Sequence, residues 1–299
     1  MSEIDEFQLE LGTGSELGMA LALFVMMFAV ALTLKFRHFV SICEAPKPFF
    51  IGIIGQLILL PLLTLVLCIV IEPRPSVALG MILVACCPGG NVSNMLVLLA
   101  RGNAALSVTL TASSSVAAAF ITPLAVVFWS SLYSPTARLL QEIAFEPWRF
   151  LVQTTIILGL PLLLGSFINS RVPVLAKKLS RVFIGLGTGL LVLIIVIAMM
   201  RYWGPFLSLG FGLIGIVVMH NACAFLLGYG LAKSFDLVSL DRRALTFEVG
   251  IQNSGLAIVI ILSQLGGLGG AAAVAGLWGV WHIVGGLMLV AFFRLRPLT

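Results

Sequence analysis

The sequence predicts an all-α polytopic membrane protein of nine transmembrane helices, with its N-terminus outside and its C-terminus inside. Composition is the first reason: 60% hydrophobic and 10% charged residues, with a mean hydropathy of +1.16, lie outside the range of soluble globular domains. The second is recurrence. Apolar runs near the length needed to cross about 30 Å of hydrocarbon begin at about Glu16, Pro48, Ser76, Ala104, Trp148, Val182, Pro205, Ala244 and Ala271. The third is charge sorting, because cytoplasmic loops collect Lys and Arg. With the N-terminus outside, the inside segments hold Lys35, Arg37, Lys47, Arg101, Arg171, Lys177, Lys178, Arg181, Lys233, Arg242, Arg243, Arg294 and Arg296. Only Arg74, Arg138, Arg149 and Arg201 fall outside, so the net charge of +5 reflects topology and is not a nucleic-acid footprint.

Taken in order, the acidic tail 1–15 has no basic n-region, so the first span is expected to stay in the mature protein. The second span holds a single amide, Gln56. The third contains Cys86-Cys87-Pro88-Gly89-Gly90-Asn91-Val92-Ser93-Asn94, where proline removes a backbone donor and two glycines follow near the expected midplane. The fourth carries Ser107 and Thr111, spaced i, i+4 on one helix face. The stretch from Arg138 to Trp148 reads as amphipathic and interfacial. Spans five and six are plain apolar runs. The seventh holds His220-Asn221, and a lone membrane histidine is read as a structural hydrogen-bonding residue. The eighth contains Glu248-Val249-Gly250-Ile251-Gln252-Asn253-Ser254-Gly255, and the ninth places Trp278, Trp281 and His282 on nearby helical positions.

Glu248 is the most informative residue. A carboxylate at membrane depth costs roughly 2.5–3.5 kcal/mol, so it faces a partner, water or an ion. No Lys or Arg lies mid-span to pair with it.

The third and eighth spans are both defective as helices, and interrupted backbone survives in a bilayer only where protein buries it or a wet cavity solvates it. By the charge-derived topology these two spans run antiparallel. If each half of the chain held five spans, the first having lost its first helix, both breaks would fall at repeat position four. That is the pattern of an inverted-repeat secondary transporter with two crossed broken helices, the site lying at the breaks.

Oxygen ligands gather around them: Ser93, Asn94, Ser107, Thr111, Glu248, Gln252 and Gln56. Hard cations take such oxygens, and no thiolate or imidazole cluster competes, so Na⁺ is favoured over a transition metal. The cysteines give no zinc spacing. Cys43 sits in an inside loop, Cys68 and Cys223 lie in spans, and vicinal Cys86 and Cys87 form no ordinary disulfide with each other. No nucleophile with a base lies in any one span, so an enzyme is not expected.

These motifs resemble the bile acid:sodium symporter family. The resemblance rests on the Pro88-Gly89-Gly90 and Ser93-Asn94 pair, on Leu99-Ala100-Arg101-Gly102-Asn103, on Ala105-Leu106-Ser107-Val108-Thr109, and on the segment from Glu248 to Ala257. It covers essentially the whole chain, in the nine-helix form that lacks the first helix. It implies two Na⁺ sites: Ser93, Asn94, Ser107, Thr111 and Glu248 in one, and Glu248, Val249, Ile251, Gln252 and Gln56 in the other. It also implies a panel domain, 16–34 and 148–200, rocking against a core domain, 48–132 and 205–293.

The implied activity is sodium-coupled symport of an organic anion, bile-acid-like or a small carboxylate, across a cell membrane, the inner membrane if the source is bacterial. The anion would bind near Asn91, Asn253 and His282, where half-helix N-termini offer N–H groups. Asn91 stands where bacterial relatives commonly have Thr, and Ile283 where they have Asn, so bile acid itself is not carried over. The alternatives are an efflux permease for metalloid or organic anions using Cys86 or Cys87, and a proton-coupled carrier titrating Glu248.

Overall fold

The computed structural model describes residues 15–34, 40, 46–201 and 210–295. The acidic tail, Lys35, Arg37, Cys43, Arg296 and the expected start of the seventh span at Pro205 lie outside the described residues.

Among the described residues the chain is helical throughout. Helix α1 spans Ser15–Ala31 and α2 spans Pro46–Ile71. A π-helical turn at Gly55–Leu59 interrupts α2 around Gln56, a local widening that the sequence pattern does not disclose. Glu72 ends α2 in the left-handed region, at φ 49°, and α3 (Pro75–Cys86) starts on a proline whose missing N–H costs nothing in a first turn. After a break come α4 (Asn91–Leu99), α5 (Ala104–Ser131) and the short α6 (Ser134–Glu142), which overlaps the first part of the stretch expected at the interface, Arg138 to Glu142. Then follow α7 (Pro147–Arg171) and α8 (Pro173–Arg201). Helix α8 begins at Pro173 rather than at Val182, because proline sets the first-turn geometry and Lys177, Lys178 and Arg181 extend the helix beyond its apolar run. The chain ends with α9 (Gly210–Ser234), α10 (Ser239–Gly250), α11 (Ser254–Gln264) and α12 (Gly269–Leu295).

Among the described residues, five helices are long and apolar enough to cross a membrane: Pro46–Ile71, Ala104–Ser131, Pro147–Arg171, Phe211–Ser234 and Gly269–Leu295. The third and eighth expected spans are each divided into two short helices, α3 with α4 and α10 with α11. Helices α3 and α11 carry apolar residues all round, and such helices belong in an interior. Ser76 through Cys86 and Ser254 through Leu262 are buried without exception. Helix α12 packs on both, while α1 packs on α7 and α8 and also touches α11. On outer helices large apolar side chains such as Val70, Leu163 and Leu226 stay exposed, as a hydrocarbon solvent permits.

Candidate functional site

The two breaks meet. Gly89 and Gln252 form an antiparallel bridge in which Gly90 N donates to Ile251 O at 3.3 Å and Asn253 N donates to Pro88 O at 2.9 Å. Backbone groups freed by one interruption are thereby satisfied by the other, which removes the main cost of unwinding within apolar surroundings. Glycine is required here by approach. A β-carbon on Gly89 would lie 2.8 Å from Gln56 Nε2 and 3.1 Å from Glu248 Oε2, and one on Gly90 would lie 3.3 Å from Gln252 O.

Glu248 occupies the last turn of α10, where the helix dipole opposes a negative charge. The crossing offsets this by bringing its carboxylate, 1% exposed, to the first turn of α4. Oε1 accepts from Ser93 Oγ and Ser107 Oγ, each at 2.5 Å, and Oε2 accepts from Thr111 Oγ1 at 2.8 Å. Asn94 Oδ1 lies 2.8 Å from Ser107 Oγ and 3.4 Å from Thr111 Oγ1. Ser93 Oγ also reaches Gly90 O at 2.8 Å and Thr111 Oγ1 at 3.4 Å.

Those are seven oxygen–oxygen contacts served by three hydroxyl protons, since each hydroxyl donates once. A proton on Glu248 would add one donor and still leave the cluster short. An oxygen cage deficient in protons could hold a hard cation.

A second group lies on the other side of the same backbone. Gln56 Nε2 donates to Glu248 O at 3.1 Å, and Gln252 Nε2 donates to Val249 O at 2.9 Å. The carbonyl oxygens of both glutamines, Gln56 Oε1 and Gln252 Oε1, are buried without a hydrogen-bond partner. Two orphaned acceptors, on side chains whose amide nitrogens hold the carbonyls of Glu248 and Val249, again favour positive charge nearby. Among the described residues no three His, Cys, Asp or Glu side chains gather as a metal cluster, so both oxygen groups are neutral apart from Glu248.

Three residues that sequence reasoning did not assign hold the breaks in shape. Thr122 Oγ1 donates to Cys86 O at 2.9 Å, Asn221 Nδ2 donates to Gly250 O at 2.7 Å, and Ser114 Oγ accepts from Gly89 N at 3.3 Å. Ser114 and Thr122 continue the helix face of Ser107 and Thr111, and that row was a legible signal. Asn221 offered none beyond its polarity. His220 Nε2 lies 2.7 Å from Thr64 Oγ1, whose own proton goes to Leu60 O, and its ring packs edge-on against Trp278.

Asn91, Asn253 and His282 come together along a groove of about 410 Å³. Met26 and Val30 of α1 and Phe183 of α8 form one wall, and the two half-helix starts with His282 and Ile283 form the other. Asn253 caps α11, its Oδ1 accepting from Leu256 N at 3.0 Å, so one of the N–H groups at that terminus is already engaged. Asn91, in the first turn of α4, is exposed, and His282 is buried.

Residues 20–205 match the family model described as Sodium Bile acid symporter family. The chain belongs to the sodium bile acid symporter family. It is 31% identical over 242 residues to a Bacillus subtilis protein named "Uncharacterized sodium-dependent transporter YocS", covering 79% of this chain and 71% of that one. It is 30% identical over 243 residues to an Arabidopsis thaliana protein named "Probable sodium/metabolite cotransporter BASS1, chloroplastic", covering 81% and 58%. To human "Sodium/bile acid cotransporter 4" it is 29% identical over 246 residues, covering 80% and 54%. The chain thus spans little more than half the length of the latter two. Its family consists of sodium symporters, membrane transporters rather than enzymes.

Proposed function

We propose that this family member imports an organic anion by sodium-coupled symport through two Na⁺ sites that share Glu248. Ser93, Asn94, Ser107 and Thr111 complete the first site. Gln56, Gln252 and the carbonyls of Val249 and Ile251 complete the second. The observation that carries the reading is the single buried carboxylate inside a proton-deficient hydroxyl cage, together with two orphaned oxygens on the glutamines that hold the Glu248 and Val249 carbonyls. Two cations on one carboxylate repel each other, so cooperative binding requires that the first ion fix the helix crossing and leave the ligands of the second already in place.

In this reading the nine expected spans divide into a core, 48–132 and 205–293, and a panel, 16–34 and 148–200, with the N-terminus outside. The anion binds in the groove between them, on Asn91, Asn253 and His282, and alternating access rocks the panel against the core. A carboxylate or sulfonate head suits the half-helix start at Asn91. The apolar wall of Met26, Val30 and Phe183 suits an amphipathic body. Cys86 and Cys87 are buried and do not line the groove, which weighs against a thiol-based efflux permease.

The test is uptake into proteoliposomes of a panel of labelled organic anions, small hydroxy and keto acids and steroid acids, under an inward gradient of Na⁺ or of K⁺. Uptake that requires Na⁺ supports the proposal. Uptake that follows a pH gradient without Na⁺ replaces it with the proton-coupled carrier.

A further inference from the structure

A second cavity, of about 690 Å³, lies between α9, α10 and α12 and shares no lining residue with the groove. Its walls run from Asn221 and Trp281 to Tyr229 and Phe293, past Leu226 and Met288. Leu226 and Met288 are 68% and 63% exposed on helices long and apolar enough to cross a membrane, which would open the cavity toward hydrocarbon. None of its lining residues carries a formal charge. An anion is therefore a poor occupant, and the cavity is no extension of the substrate path.

One polar group inside it lacks a partner. Asn221 is 1% exposed, and its Nδ2 is committed to Gly250 O at 2.7 Å, which turns Oδ1 away from the broken helix. That oxygen has no hydrogen-bond partner. It lies against Gly285, where a β-carbon would sit 3.2 Å from Oδ1, 3.4 Å from Phe225 Cε2 and 3.7 Å from Trp281 Nε1, so a donor entering from the cavity reaches the oxygen as the Phe225 and Trp281 side chains give way. A buried acceptor left unmade in apolar surroundings is destabilising, so a ligand that brings a donor there gains more than its apolar contact alone. Pockets of this size, apolar with one or two placed polar groups, bind small molecules.

We infer that this crevice binds an uncharged, hydroxyl-bearing amphiphile from the lipid phase, a long-chain or sterol-like alcohol whose O–H donates to Asn221 Oδ1. Its apolar body lies along Phe225, Leu226, Met288 and Leu289. Because the same amide holds Gly250 O, the occupant sits one hydrogen bond from the interruption in the eighth span.

The experiment uses the full chain in phosphatidylcholine nanodiscs with a tetradecanol bearing a terminal photoactivatable diazirine, and maps the labelled peptides by mass spectrometry. The expected result is saturable labelling of α9 and α12. Tetradecanol should compete about tenfold better than its methyl ether, which lacks the donor. Met288→Trp, which fills the crevice at a distance from Asn221, should remove the labelling while the fold is retained. Labelling that rises without saturation, equal competition by the ether, or labelling unchanged in Met288→Trp would each overturn the inference. No step depends on Na⁺ or on transport, so failure here leaves the symport reading untouched.

Discussion

Ser107 Oγ lies 2.5 Å from Glu248 Oε1, a contact between an unbroken helix and the last turn of a broken one. It joins α5 to α10 at the point where the chain leaves its helix, so whatever neutralises Glu248 also sets the geometry of the crossing. Glu248→Gln keeps the size of the side chain and removes the charge. Sodium-dependent uptake in that variant should fall to background, with the protein still folded by gel filtration. Retained sodium coupling would sink the shared-carboxylate assignment.

Gln56 and Thr111 belong to different oxygen groups and should separate in a sodium titration of initial uptake rate. Gln56→Ala is expected to raise the half-saturating Na⁺ concentration about tenfold and to lower the Hill coefficient toward one, through loss of one ligand. Thr111→Val should do the same while leaving Gln56 Nε2 on Glu248 O. If the double variant is no worse than either single one, the two residues serve one ion.

Na⁺ itself should stabilise the folded protein. A ligand at a hundredfold excess over its Kd adds about 2.7 kcal/mol for one site. Thermal unfolding in detergent should therefore shift upward with Na⁺ but not with equimolar K⁺, and the shift should vanish in Glu248→Gln. Equal shifts for both salts would point to a general ionic effect.

His282 faces the groove and not the oxygen groups. His282→Ala should raise the KM for the transported anion about tenfold while leaving the half-saturating Na⁺ concentration unchanged. A change confined to the sodium dependence would move His282 out of the substrate groove.

Gly250 packs where a side chain does not fit, since a β-carbon there would lie 2.0 Å from Phe225 Cδ1. Gly250→Ala is expected to lose about 1–3 kcal/mol of stability from overpacking. Gly215→Ala, with nothing within 4 Å of its added carbon, should be neutral. Comparison of the two melting temperatures checks both.

Much of this site was legible because membrane depth makes polarity expensive. Ser93, Asn94, Ser107, Thr111, Gln56 and Gln252 stand out in apolar runs, and the fold brings Ser93, Ser107 and Thr111 to the Glu248 carboxylate, Asn94 to Ser107, Gln56 to the Glu248 carbonyl and Gln252 to that of Val249. Ser114 and Thr122 were passed over because hydroxyls are ordinary in membrane helices, where they also bond to their own backbone carbonyls. Asn221 was invisible as a backbone clamp, because nothing local to α9 discloses that Gly250 O lies against it. The start of α8 at Pro173 shows the limit of hydropathy, which marks where a helix turns apolar and not where it begins.

By itself the sequence determined the all-helical membrane class, the places of the two interruptions and the inventory of polar oxygens within the apolar runs. Each follows from local chemistry: apolar length, proline and glycine in a helix, and the cost of a polar atom in hydrocarbon. Only the tertiary structure decided that Gly89 pairs with Gln252, that Glu248 takes hydroxyls at its carboxylate and Gln56 at its backbone carbonyl, and that Asn221 keeps an unpaired oxygen. The reason is geometric. Hydrogen bonds between groups far apart in the chain depend on how α4, α5, α9 and α10 cross, and no local pattern along any one of them specifies that angle.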